Sequence, residues 1–145
     1  MGKKDARRSG KAQRQTTESR VNGVVFDAGG LIALERNNRV VFSILATALE
    51  DGSRIIVPAT ALAQVIRNPS KQARLWRMIH FDQTEIVPLD GSYAQAVGSL
   101  LAQTGTSDIA DAHVVICGHR AGYTVLTSEP LDLKKLDPAL RTITV

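Results

Sequence analysis

Five short runs rich in aliphatic and β-branched residues punctuate the chain and limit what it can fold into. They are GVVFD at 23–27, RIIVP at 54–58, EIVPL at 85–89, YTVLTS at 123–128 and RTITV at 141–145. Between them, apolar residues recur at helical spacing, as in Val41, Ile44, Leu45, Ala48 and Leu49 of a helix over 38–50. Strand and helix patterns that alternate in this way predict parallel βαβ units, because a parallel strand needs a long crossover to return to the same edge. The expected class is α/β, a doubly wound parallel sheet of four to five strands with helices on both faces. Further helices are expected over 31–35, 61–67, 70–79, 90–102, 108–120 and 131–136, with Thr60 and Ser70 as caps. The helix over 90–102 should turn Ala94, Val97, Leu100 and Leu101 inward. Aromatic residues are only 4% of the 145, so the core must be aliphatic.

Charge divides unevenly along the chain. Residues 1–20 hold seven basic residues against Asp5 and Glu18, so the net +4 leaves the remainder at −1. Residues 1–22 therefore read as a basic, disordered tail, and 23–145 as a single domain. That tail is either an arm that grips nucleic acid, or a non-native leader or the product of a misplaced translation start, with the true start near Val21. The lone Cys117 excludes a disulfide framework or a zinc cluster within one chain, which suits a reducing cytoplasm. No apolar run approaches the ~18 residues of a membrane span. The expectation is a cytoplasmic protein without a membrane partner.

The acidic residues fall at telling places. Asp27 ends the first strand, and Gly29 and Gly30 after it read as a tight turn into a helix. Open α/β sheets bind ligands at that strand edge. Asp27 reads equally as a helix cap and as a buried carboxylate in need of a partner. Asp108 and Asp111, three apart in TSDIADAHVV, share the first turn of one helix. The helix dipole accounts for Asp108 better than for Asp111, which stands at the threshold of the apolar VVIC. Glu129 and Asp132 follow the fourth strand in TSEPLD as Asp27 follows the first, with a capped turn as the plain alternative. Carboxylates gathered at one edge cannot all stay ionised without a cation. Oxygen ligands with no His or Cys beside them select Mg²⁺ or Mn²⁺, and such a site can orient a phosphodiester and activate a water.

Over residues 23–145 the chain resembles PIN-domain ribonucleases of the kind found as VapC toxins in bacterial toxin–antitoxin pairs. The resemblance is carried by VVFDAGGLIALER, PATALAQVIR, TGTSDIADAHVV and TVLTSEPLDLKKL, in that order. It implies a PIN-like three-layer α/β/α sandwich and a Mg²⁺- or Mn²⁺-dependent endoribonuclease, with RNA hydrolysed by metal-activated water. Matched by position, Asp27 takes the family's first acidic place and Asp111 its third, with Asp108 as a helper. These three are the implied metal ligands, and Glu129 and Asp132 fall in the fourth acidic region. Thr127 or Ser128 matches a hydroxyl that would bind a carboxylate or water. One departure stands out: the glutamate usual in the helix after strand two is here Gln64, whose amide oxygen can ligate but brings no charge.

The resemblance also implies a homodimer, and an antitoxin whose C-terminal segment lies across the groove. Arg36, Arg39, Arg67, Lys71, Arg74 and Arg77 read as RNA-backbone contacts or as solvated helix faces. Trp76 reads as core or dimer interface. The alternative function is a catalytically weak PIN-like module that binds RNA or a protein, its metal site degraded at Gln64. A dehalogenase-like phosphatase would need an acid at position 29, where glycine stands. No GxGxxG or Walker loop supports a nucleotide-binding module.

Overall fold

The computed structural model describes residues 23–145, and the basic segment 1–22 lies outside the described residues. Five strands form one sheet: β1 (Gly23–Phe26), β2 (Arg54–Pro58), β3 (Thr84–Val87), β4 (Thr124–Thr127) and β5 (Thr142–Thr144). Their order is β3-β2-β1-β4-β5 and every pairing is parallel. The chain winds from β1 outward to β3, then returns to β4 on the other side of β1. The order thus reverses between β1 and β4, and their carboxyl ends flank the switch point where such sheets bind ligands.

Seven α-helices flank the sheet among the described residues: α1 (Ala28–Glu35), α2 (Arg39–Asp51), α3 (Ala59–Val65), α4 (Ala73–Ile79), α5 (Gly91–Thr104), α6 (Ile109–Ala121) and α7 (Pro130–Leu136). All four residues of β1 are buried, as are four of five in β2 and three of four in β4. Strands buried on both faces require helices on both sides, which gives the expected three layers. The core is aliphatic around Val25, Leu31, Ile55, Val57 and Leu126, with Phe26 at its centre and Trp76 packed half-buried against it. Among the described residues no helix is long and apolar enough to cross a membrane.

Several local expectations need correction. Helix α1 begins at Ala28, so Gly29 and Gly30 form its first turn and no separate turn precedes it. Asp27 is extended, and its Oδ1 accepts the Gly30 N–H at 2.8 Å. Glycine is required at position 30 by proximity: a Cβ there would sit 2.6 Å from the Leu126 carbonyl oxygen of β4. Thr60 does not cap α3; its hydroxyl instead bonds His113 Nδ1 on α6 at 2.8 Å. Ser70 lies in a 3₁₀ turn (Pro69–Lys71) opened by the Asn68 carboxamide, and α4 starts only at Ala73. In α5, Ala94 is exposed, Leu100 and Leu101 are half-buried and only Val97 is buried, because this helix packs chiefly on α6 and not on the sheet.

The two helical glycines Gly30 and Gly98 should respond oppositely to alanine. Gly30→Ala meets backbone and is expected to cost about 1–3 kcal/mol, as overpacking does. Gly98 is exposed in α5 with nothing within 4 Å of an added Cβ. Gly98→Ala is therefore expected to gain up to ~1 kcal/mol. Urea-unfolding midpoints at unchanged slope check both.

Candidate active site

The switch point is where the acidic residues meet. Asp27 follows β1 directly, and its backbone N–H bonds the Leu126 carbonyl of β4 at 3.2 Å. Its carboxylate is 6% exposed, and burial pushes its pKa up. Three donors oppose that push: the Thr127 hydroxyl and the Gly30 and Gly29 amides. The charge of Glu129 adds to it. Thr127 is fully buried at the end of β4, and its hydroxyl oxygen also accepts the Glu129 N–H at 2.9 Å. One side chain thus ties the β4–α7 turn to Asp27.

Asp108 is the N-cap of α6, and its Oδ1 accepts the Asp111 N–H at 2.9 Å. Asp111 lies in the first turn, half-buried. Its pKa is pushed up to about 6, first by burial and then by the charges of Asp108, Asp27 and Asp132. A cleft of about 150 Å³ opens among Thr106, Asp108, Asp111, Asp132, Lys135 and Leu136. Asp132, in the first turn of α7, stands 3.7 Å from Lys135 Nζ.

The donor set is all carboxylate oxygen, and burial together with the neighbouring charges raises Asp111 and Asp27. A hard divalent cation fits that chemistry. Among the described residues no three His, Cys, Asp or Glu side chains stand close enough to hold an ion, so these carboxylates do not form a closed cage. Glu129 is exposed and the Asp132 side chain is 53% exposed, leaving their rotamers free to adjust, while the exposed Asp108 is held as the cap of α6.

The supporting residues scatter more. Ser128 is exposed, with its hydroxyl against Gly29 at the start of α1. Gln64 is exposed on α3, a helix that packs on α1 and α6. The basic residues Arg36, Arg67, Lys71 and Arg74 gather where α1, α3 and α4 meet, and none lines the acidic cleft. Arg67 donates to the Ala63 and Ile66 carbonyls at 2.9 and 2.6 Å. Arg74 and Arg77 border a separate apolar groove with Leu34, Phe42 and Leu45.

Two features of the site have no clear sequence signal. Lys135 lines the cleft, and nothing in DLKKL separates it from Lys134. Gln72 is buried, and its Nε2 donates to both Glu35 carboxylate oxygens and to the Val65 carbonyl, at 2.9–3.2 Å. Its Oε1 accepts the Arg67 and Asn68 N–H groups at 2.8 and 3.1 Å, so one amide locks α1 to the end of α3. The only local hint is a polar residue beside the apolar face of α4.

No protein-family model and no curated protein matches the chain by sequence. Solved structures match by fold. The structure of VapBC2 from Rickettsia felis bound to a DNA fragment from their promoter superposes with a TM-score of 0.64 at 16% identity, covering 85% of this chain and 98% of that one. FitAB bound to an IR36 DNA fragment gives 0.57 at 16%, covering 83% and 94%. FitAcB from Neisseria gonorrhoeae gives 0.54 at 17%, covering 83% and 96%. The chain has the PIN-like fold that the sequence resemblance implies.

The raised carboxyls have a consequence for stability. A carboxyl whose pKa is higher folded than unfolded binds its proton more tightly in the folded state, so stability is fully present below the unfolded value and falls as pH rises. For Asp111 that window runs from 3.8 to about 6. Asp111→Asn is expected to raise the metal-free Tm by a few degrees at about pH 7.5 and to change it little near pH 4. Thermal melts in chelator at both pH values check this, and an Asp108→Asn variant should show a smaller gain.

Proposed function

We propose that the chain is a Mg²⁺- or Mn²⁺-dependent endoribonuclease, the toxin of a toxin–antitoxin pair. The observation that carries this is the cleft lined by Asp108, Asp111 and Asp132 at the carboxyl edge of a PIN-like sheet, where burial and like charge push Asp111 up to about 6. Carboxylates that line one cleft cost stability, and they make sense where a cation and a phosphodiester come in.

A divalent cation, when bound, supplies a Lewis acid for the phosphate and lowers the pKa of the attacking water. The chain supplies the rest. Asp27 and Asp111 would hold the cation, the first from a rotamer fixed by Thr127 and the amides of α1. Asp108, with Glu129 or Asp132, would complete the oxygen shell from exposed positions. Gln64 offers a neutral amide from α3. The basic residues around the α1, α3 and α4 junction steer the RNA backbone, screened by salt as surface charges are. The likeness to VapBC2 supports an antitoxin partner, and the reading includes a homodimer acting in the cytoplasm.

A second reading is a catalytically weak module that binds RNA or a protein. The absence of a closed ligand cage among the described residues, together with a neutral Gln64, favours it. Purified, partner-free protein incubated with total tRNA and rRNA separates the two. Cleavage is expected in Mg²⁺ or Mn²⁺, with 5′-phosphate products, and is expected to vanish in chelator and in Asp27→Asn and Asp111→Asn. Folded protein that cleaves nothing in any arm, yet gains cleavage as Gln64→Glu, would favour the weak module.

A further inference from the structure

A phosphodiester that approaches this cleft meets Asp108, Asp111 and Asp132, all of one sign with it. Something cationic on the protein has to receive it. The arginines expected to contact RNA do not stand there: Arg67 is held by carbonyls of its own helix end, and Arg74 and Arg77 border the apolar groove. Among the described residues, the only basic side chain on the wall of the acidic cleft is Lys135.

We propose that Lys135 is the residue that takes hold of the RNA phosphodiester beside the carboxylates, exchanging Asp132 for a non-bridging phosphate oxygen. The inference rests on the endoribonuclease reading and adds a substrate-binding residue to it. The geometry suits an exchange. Lys135 Nζ lies 3.7 Å from Asp132 Oδ1, with the two side chains 70% and 53% exposed. That is well beyond the roughly 2.7–2.9 Å of a tight charge-assisted hydrogen bond. An exposed pair three residues apart on one helix is worth at most about 1 kcal/mol, so a phosphate can displace it. The backbone beneath is firm, since Leu133 and Leu136 of the same helix are buried. A fixed Cα under a long, hydrated, flexible stem lets the ammonium travel while its origin stays put.

The test is binding of a fluorescently labelled single-stranded RNA 12-mer to the full chain in chelator, over a series of KCl concentrations. Each phosphate contact contributes about 0.7 to the slope of log K against log salt for a single strand. Lys135→Met is expected to weaken binding several-fold at low salt and to lower the slope by about 0.7, with Lys135→Arg restoring both. Mn²⁺ affinity of Lys135→Met, measured by calorimetry, should stay equal or rise, because a competing ammonium has gone. Wild-type affinity and slope in Lys135→Met would overturn the inference. So would an equal loss of Mn²⁺ binding, which would make Lys135 a support for the carboxylates. Wild-type protein that neither binds nor cleaves RNA would overturn the endoribonuclease reading itself, and this inference with it.

Discussion

The Asp27 carboxylate is the constraint around which the switch point is built. A carboxylate almost wholly removed from water is costly, and three nearby donors make it tolerable. Two of them are amides at the first turn of α1, which fixes where that helix starts and the direction it leaves β1. The third is the Thr127 hydroxyl, which requires β4 to lie beside β1 in the register observed. Gly30 follows from the same demand, because α1 can run this close to β4 only without a side chain there. Cap, glycine, strand neighbour and hydroxyl are four parts of one arrangement that accommodates one charge.

The site works against the stability of the fold that carries it. Asp111 and Asp27 both titrate above their usual range for want of water and for excess of like charge. The rest of the molecule supplies ordinary means of holding such a site still. Gln72 satisfies five hydrogen-bonding groups from a buried position and joins α1 to the end of α3. The Thr60–His113 bond joins α3 to α6, with the imidazole packed edge-on against Tyr93 at 5.2 Å and held toward its neutral form by burial. The Thr60–His113 bond fixes the helix bearing Gln64 against the helix bearing Asp111, and Gln72 fixes that same helix against α1. Buried polar links of this kind specify position as well as energy, since neither partner is satisfied if the helices slide.

Much of this architecture is legible in the amino-acid sequence. The strand runs at 23, 54, 85, 124 and 142, the helices between them and the clustering of acids after the first and fourth strands all follow from period and punctuation. The local expectations that fail, Ser70 apart, share one cause. Gly29 and Gly30 resemble a turn, Thr60 resembles a cap and Ala94 resembles core, because local preference carries no information about a distant neighbour. Leu126, His113 and the exposed outer face of α5 decide those positions instead. Lys135 and Gln72 carry almost no local signal: a lysine in a helix reads as solvated, and a glutamine at a helix start reads as filler.

What the sequence by itself determined is the inventory: an aliphatic α/β domain, parallel because helices intervene between strands, with carboxylates at strand ends and first turns. Those properties depend on spacing within a few residues, which the chain carries explicitly. What only the tertiary structure decided is which of these residues meet. The order β3-β2-β1-β4-β5 sets β4 beside β1, and so sets Thr127 against Asp27 and turns Asp111, Asp132 and Lys135 toward one cleft. The physical reason is that the pKa of a carboxyl, the freedom of a lysine and the need for a glycine depend on groups far along the chain. Their distances are fixed by packing, not by sequence separation.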